Sequence, residues 1–203
     1  MLNDVTVFNI REYLSAKGDK DLGEDELRQL LSEFFCDKNP DVERFLKEQS
    51  IEFTKKNQSV TYLVFSNEDA SLVGYFTITI KPITVNAENF SNTMKRKIAR
   101  VSELDEENGT YTLSAYLIAQ LGKNFKDGAN EKITGEQLLQ AAIDTIKELQ
   151  YMAGGMVIFL EAEDKEKLMH FYEDENGFKQ FDVREMKLQG NDSHMLIQLL
   201  KIM

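Results

Sequence analysis

HFYEDENGF occupies residues 170–178. Phe171 and Tyr172 stand about one helical turn before Gly177, the residue type that most readily ends a helix in the left-handed conformation, and Phe178 then offers an apolar return to a core. The pattern predicts a short helix over 165–175 and a strand over 178–186. Just upstream, MVIFLEA (156–162) is a nearly continuous apolar run, as expected of a central strand covered on both faces. GEQLLQAAIDTIKELQYM (135–152) has apolar residues at 138, 139, 142, 143, 146 and 149, the stripe of an amphipathic helix. TYTLSAYLIAQLG (110–122) reads as a strand, and a last strand is expected at 194–201.

Toward the N-terminus, VTVFNI (5–10) alternates loosely as a strand, and Leu27, Leu30, Leu31, Phe34 and Phe35 form a helical stripe. Pro40 suits the start of a second helix, with Asn39 as its N-cap and Val42, Phe45 and Leu46 on its buried face. SVTYLVF (59–65) and SLVGYFTITI (71–80) flank NEDA as a hairpin, and 83–100 reads as an inserted helix. The order is β-αα-ββ-(insert)-β-α-β-α-ββ. It predicts an α/β (α+β) domain with a mixed central sheet of about seven strands and helices on both faces. One domain over 1–203 is expected, with an N-terminal extension at 1–23 containing an edge strand, and a helical insert at about 83–110. SAKGDKDLGEDE (15–26) and SELDEENGT (102–110) are the linker candidates. SHMLIQLLKIM, read as an exposed final strand, could pair across a homodimer.

The chain has 203 residues, 42% hydrophobic and 29% charged, enough to bury a substantial core. No run approaches the roughly 18 apolar residues of a membrane span. MLNDVTVFNIREYL lacks a basic region followed by an apolar block, so no signal peptide is expected. The single cysteine, Cys36, fits a reducing cytoplasm. A net charge of −11 disfavours nucleic acid as a partner, because such binding rests mainly on phosphate neutralisation. The local exception is MKRKIAR (94–100), with four cations and no anion. It reads as a solvated helix face or a polyanion contact, and the adjacent ELDEEN could neutralise it.

A nucleophile-and-base pair is poorly supported by two histidines, His170 and His194, and by Cys36 in the helix junction FFCDKNP, which reads as a packing residue. No HExxH, CxxC or paired-histidine spacing points to a metal. More informative is GKNFKDGANEKITGEQLL, which runs from a strand end to a helix start. Thr134 as N-cap and Gln137 at N3 can close a capping box. Such a helix start presents free N–H groups and the positive dipole end to a phosphate, and Lys123, Lys126 and Lys132 add charge. The same spacing also serves an ordinary capped helix.

NEKITGEQLL resembles the pyrophosphate loop of GNAT-superfamily acetyltransferases, Gln/Arg-x-x-Gly-x-Gly/Ala followed by Leu-Leu. Asn130 stands at the Gln/Arg position, Ile133 at the middle glycine and Gly135 at the last. YLIAQLGKN (116–124) resembles the family's fourth strand, and HFYEDENGF its closing Phe/Leu-Tyr-Glu-x-x-Gly-Phe signature, with one extra residue between Glu173 and Gly177. The resemblance extends over roughly residues 24–200.

It implies an acetyl-CoA-dependent N-acetyltransferase without a metal. The cosubstrate would lie on Gln120, Leu121, Gly122, Lys123, Asn130, Lys132, Ile133, Thr134 and Gly135, with an oxyanion held by backbone amides near Gln120 to Gly122. Tyr172 would stand beside the coenzyme A sulfur and protonate the departing thiolate; without the resemblance it reads first as a core aromatic on one face with Leu168 and Phe171. Glu161 and Glu163 are within geometric reach as bases, and neither is assigned. The implied acceptor is a primary amine of a small molecule or protein, and an acidic surface favours cationic ones. FFCDKNPDVERFLKEQSIEFTKKNQSVTYLVF (34–65) is similar to a bacterial branch of toxins that acetylate aminoacyl-tRNA and are neutralised by an antitoxin. The third reading is a catalytically inert GNAT-fold binding module.

Overall fold

The structure is a computed structural model that describes residues 4–14, 23–187 and 193–203; the linker expected at 15–26 falls mostly outside them. Its strands are β1 (Val5–Asn9), β2 (Val60–Ser66), β3 (Leu72–Asn86), β4 (Leu104–Asp105), β5 (Thr110–Lys123), β6 (Val157–Glu163), β7 (Lys179–Lys187) and β8 (Ser193–Ile202). They pair in the order β1-β2-β3-β5-β6-β8-β7, with β4 on β5, giving one eight-stranded sheet. By contact the chain divides into two compact units, Met1–Thr79 with Ile118–Met152 and Ile80–Leu117 with Ala153–Met203.

In the first unit, β1 and β3 flank β2 in antiparallel register, with Val7 opposite Val64 and Leu63 opposite Tyr75. β1 is the edge strand expected near the N-terminus. Its helices are α1 (Ile10–Leu14), α2 (Gly23–Ser32), α3 (Pro40–Arg44), which continues through a π-turn at Phe45–Gln49 into α4 (Ser50–Lys55), and α6 (Gly135–Ala153). The Asn39 side chain accepts the N–H groups of Asp41 and Val42, so the expected cap forms one residue before Pro40. Leu27, Leu31, Phe34, Leu46 and Tyr75 are almost fully buried around Cys36. The Tyr75 hydroxyl donates to the Val42 carbonyl at 2.5 Å, which satisfies the one polar atom of a ring that is otherwise in the core. On α6, Leu138, Leu139, Ala142, Ile143 and Ile146 form the buried face that the sequence pattern requires.

The second unit contains α5 (Asn92–Ile98), α7 (Glu166–Met169) and the strands β6, β8 and β7. Two expectations are corrected here. The helix expected over 83–100 is confined to Asn92–Ile98 and capped by the Ser91 hydroxyl. Ile83–Asn86 instead prolong β3, with Ile83 and Val85 buried and Thr84 and Asn86 exposed, the period-two alternation of a strand. SHMLIQLLKIM is not an exposed final strand: β8 pairs antiparallel with β6 on one side and β7 on the other, so both its edges are taken and β7 lies outermost. Over 196–200, where both neighbours pair, β8 has no open edge for a strand of a second copy to join. No helix among the described residues is long and apolar enough to cross a membrane.

Candidate active site

Gln120, Leu121, Gly122 and Lys123 close β5 in the first unit. Gly122 is required by packing. A Cβ there would lie 2.4 Å from Val42 Cγ1, so the strand passes under α3 only with a hydrogen at this position. Gly74 makes the same allowance on β3, where a Cβ would come within 2.9 Å of the Gly122 carbonyl oxygen. Next in the chain, Asn124 is buried and joins three segments. Its Oδ1 accepts the amides of Phe35 (2.9 Å) and Lys126 (3.1 Å), and its Nδ2 donates to the Leu72 carbonyl (2.8 Å). Sequence reading missed it. Its only local signal is an amide residue directly after the strand-ending Gly-Lys.

The chain then makes 3₁₀ turns over Lys126–Lys132, which include Asn130, with Asp127 (φ 50°) and Gly128 (φ 77°) in the left-handed region. Ile133 leaves the turns extended, at φ −143° and ψ 137°, and is 1% exposed. Its side chain is therefore in the core, and the backbone N–H groups beyond it are not blocked by its bulk. Thr134 and Gln137 form the reciprocal box: the Thr134 amide donates to Gln137 Oε1 at 2.8 Å, and the Gln137 amide to Thr134 Oγ1 at 3.0 Å. Gly135 and Glu136, at the start of α6, retain N–H groups with no acceptor among the described residues.

The lysines contribute less than their number suggests. Lys126 pairs with Glu33, and Lys132 with Asp69, whose carboxyl this ammonium holds down at about 2. Lys123 has no ion pair among the described residues; burial and the nearby Lys38 ammonium both push its pKa down. The donor set at the start of α6 fits a phosphate through backbone amides and the helix dipole, rather than through a ring of cations.

Tyr172 lies in the second unit, in a π-turn over His170–Glu175 that continues α7. Its ring meets Phe171 edge-on at 5.0 Å and Phe178 at 5.9 Å. The helix ends as expected at Gly177, whose φ is +69°. The Gly177 amide donates to Glu173 O at 3.1 Å and the Phe178 amide to Tyr172 O at 2.9 Å. That closing ring is one residue wider than the usual Schellman motif. A π-turn accommodates one more residue than an α-turn, which gives the extra residue between Glu173 and Gly177 a place without displacing Phe178 from beside Tyr172. Burial pushes the Tyr172 phenol up to about 12, so it is protonated throughout the physiological range.

The remaining candidates are already engaged. Cys36 is buried, its pKa raised by that burial. Glu161 accepts from Arg184 and Gln198, and Glu163 pairs with Lys165, so neither is an unoccupied base. His170 is bonded to Asp174 at 2.7 Å, and the His194 side chain lies outside the described residues. No group of three His, Cys, Asp or Glu with metal-holding geometry occurs among the described residues. Nor does ELDEEN neutralise MKRKIAR by contact. Asp105 is occupied by its own turn, accepting from Glu107 and Asn108, and Lys95, Arg96, Lys97 and Arg100 form no ion pair among the described residues.

The strand order, the capped α6 that follows β5, and the aromatic turn that follows β6 define the GNAT fold, and this chain has it. Among solved structures it is similar to AtaT complexed with acetyl-methionyl-tRNAfMet, at 16% identity over 96% of this chain and 94% of that one, with a TM-score of 0.60. It is also similar to a tyrosine-to-phenylalanine mutant of KacT (16% identity, 97% and 95% covered, TM-score 0.57). A tyrosine-to-phenylalanine mutant of the AtaT toxin, bound to the C-terminus of the antitoxin AtaR and acetyl-CoA, matches at 16% identity over 98% and 94% of the two chains, with a TM-score of 0.55. No protein-family model and no curated protein matches the sequence.

Proposed function

We propose that this chain is an acetyl-CoA-dependent N-acetyltransferase. The start of α6 supports the reading most directly: Ile133 is turned into the core with a negative φ, which keeps the Gly135 and Glu136 amides available to a pyrophosphate although the usual middle glycine is absent. In the reaction the acceptor nitrogen attacks the thioester carbonyl carbon, and the oxyanion that forms is stabilised by backbone amides near Gln120–Gly122. The C–S bond then breaks, the acetyl group stays on nitrogen as an amide, and coenzyme A leaves. Tyr172 serves the departing sulfur. A thiol titrates near about 8.5, so a phenol at about 12 keeps its proton and acts first as a hydrogen-bond donor to the developing thiolate. The amine proton leaves to water, because Glu161 and Glu163 are both paired.

A thiol-release assay with a panel of amines tests this reading. Acetyl-CoA-dependent release that requires an amine and falls in Tyr172→Phe supports it. Acetyl-CoA binding without transfer to any amine would favour the inert module.

An aminoacyl-tRNA acceptor is the second reading, supported by AtaT in its complex with acetyl-methionyl-tRNAfMet and by the cations of α5, which have no ion-pair partner among the described residues. The net charge of −11 opposes it. Growth arrest on expression that is relieved by Lys95→Gln with Lys97→Gln would favour the tRNA acceptor.

A further inference from the structure

The second unit contains a half-open pocket of about 320 Å³, a volume in the range of small-ligand sites. Its charged and amide-bearing lining comes from four strands: Lys81 of β3, Glu161 of β6, Asp182 and Arg184 of β7, and Gln198 of β8. It is distinct from the Tyr172 turn. Gln198 faces the pocket, whereas Lys201, three residues along β8 and so on the opposite face, donates to the Asn176 carbonyl at 2.8 Å and lies over the Phe178 ring.

The hydrogen bonds in the pocket show which groups remain for a ligand. Glu161 is occupied: Arg184 Nη1 donates to its Oε1 at 3.1 Å and its Oε2 at 3.0 Å, and Gln198 Nε2 donates to Oε1 at 2.7 Å. Its side chain is 19% exposed, and the two donors fix it as the anchor that orients Arg184. Arg184 keeps its Nε and Nη2 donors, and Lys81 has no ion pair among the described residues. On the acceptor side, Asp182 commits Oδ1 to the Val183 amide at 2.8 Å and keeps Oδ2. The apolar part of the wall includes Phe159 and Phe181, packed edge to face at 6.4 Å.

We infer that this pocket binds a zwitterionic α-amino acid with an apolar side chain. The carboxylate meets Arg184 and Lys81, the ammonium meets Asp182, and the side chain lies against Phe159 and Phe181. The four charged residues sum to zero, and both signs are available. A polycation would leave two protein cations facing it, and an anion alone would leave the Asp182 carboxylate without a partner. The inference goes beyond the transfer reading and does not rest on it: the pocket lies apart from the Tyr172 turn, on the face of β8 opposite Lys201, so the amino acid bound there is a further ligand of the second unit and not the acceptor of the transfer.

Ligand-observed NMR with L-leucine, leucinamide, N-acetylleucine and spermidine tests it, with acetyl-CoA titrated into the same samples. Leucine should bind, and each of the other three at least about tenfold more weakly. Arg184→Gln should weaken leucine at least about tenfold, while Lys147→Gln, in the other unit, leaves it unchanged; circular dichroism confirms that both variants are folded. Equal binding of leucinamide or spermidine overturns the zwitterion assignment, as does the absence of leucine binding. If acetyl-CoA binds and leucine does not, only the pocket assignment fails. If leucine binds and acetyl-CoA does not, only the transfer reading fails.

Discussion

Phe178 donates its amide to the Tyr172 carbonyl at 2.9 Å, and the two rings meet edge-on 5.9 Å apart. The end of the α7 turn thus fixes the backbone and the ring of the tyrosine together. Because Phe178 is 1% exposed, the tyrosine is referred to a rigid part of the unit rather than to a loop.

Tyr172→Phe retains both ring contacts and removes only the hydroxyl. Turnover should fall by about 10²–10³-fold, the usual contribution of one hydrogen-bond donor aimed at developing charge. The acetyl-CoA dissociation constant should stay within about twofold. The protonated phenol is the competent form and burial holds its pKa at about 12, so tyrosine ionisation should not depress the rate as pH rises from about 7 to about 10. Steady-state kinetics across that range check both statements, and unchanged turnover in the variant would remove Tyr172 from the mechanism.

Gly122→Ala places a methyl group 2.4 Å from Val42 Cγ1. Overpacking of this kind costs about 1–3 kcal/mol. Val42→Ala in the same chain should recover most of the loss, which chemical denaturation would measure. Independent, additive losses would contradict the contact.

Asn124→Ala breaks the link between the α2–α3 turn, β3 and the end of β5. Its buried partners lose their hydrogen bonds, so the expected cost is about 1–3 kcal/mol. Asn124→Asp should not rescue it, since a carboxylate cannot donate to the Leu72 carbonyl. Urea melts of the two variants decide this.

The Lys132 ammonium holds Asp69 at about 2, below its ordinary 3.8, so the folded state favours the charged carboxylate. That contribution is complete above pH 3.8 and is lost as the pH falls toward about 2. Carboxyl NMR should find a midpoint near 2 that rises in about 1 M salt, because the pair is exposed. A midpoint at 3.8 in low salt would mean that the pair does not form in solution.

Features encoded within a few residues were legible in the sequence. Asn39 before Pro40, Thr134 with Gln137, and Gly177 after the aromatic turn each form the cap that their spacing requires. The extension of β3 was also legible in principle. Ile83, Thr84 and Val85 alternate as a strand does, although they follow Pro82, a residue type that ordinarily interrupts a strand. Other features depend on pairing between distant segments. Local patterning does not say that β8 inserts between β6 and β7, nor that Asn124 reaches Leu72, 52 positions away. The pocket likewise joins Lys81 to Glu161, Arg184 and Gln198 through strand order alone. The π-turn at Tyr172 lies between these cases: its extra residue was visible in the sequence, and its accommodation was not.

The most direct test of the central claim is a calorimetric titration of acetyl-CoA into the purified protein, with Gly135→Trp as the blocked variant and circular dichroism as its folding control. The proposal predicts saturable binding at micromolar concentration that is lost when the indole covers the start of α6. An unmodified protein that binds no acetyl-CoA would contradict it.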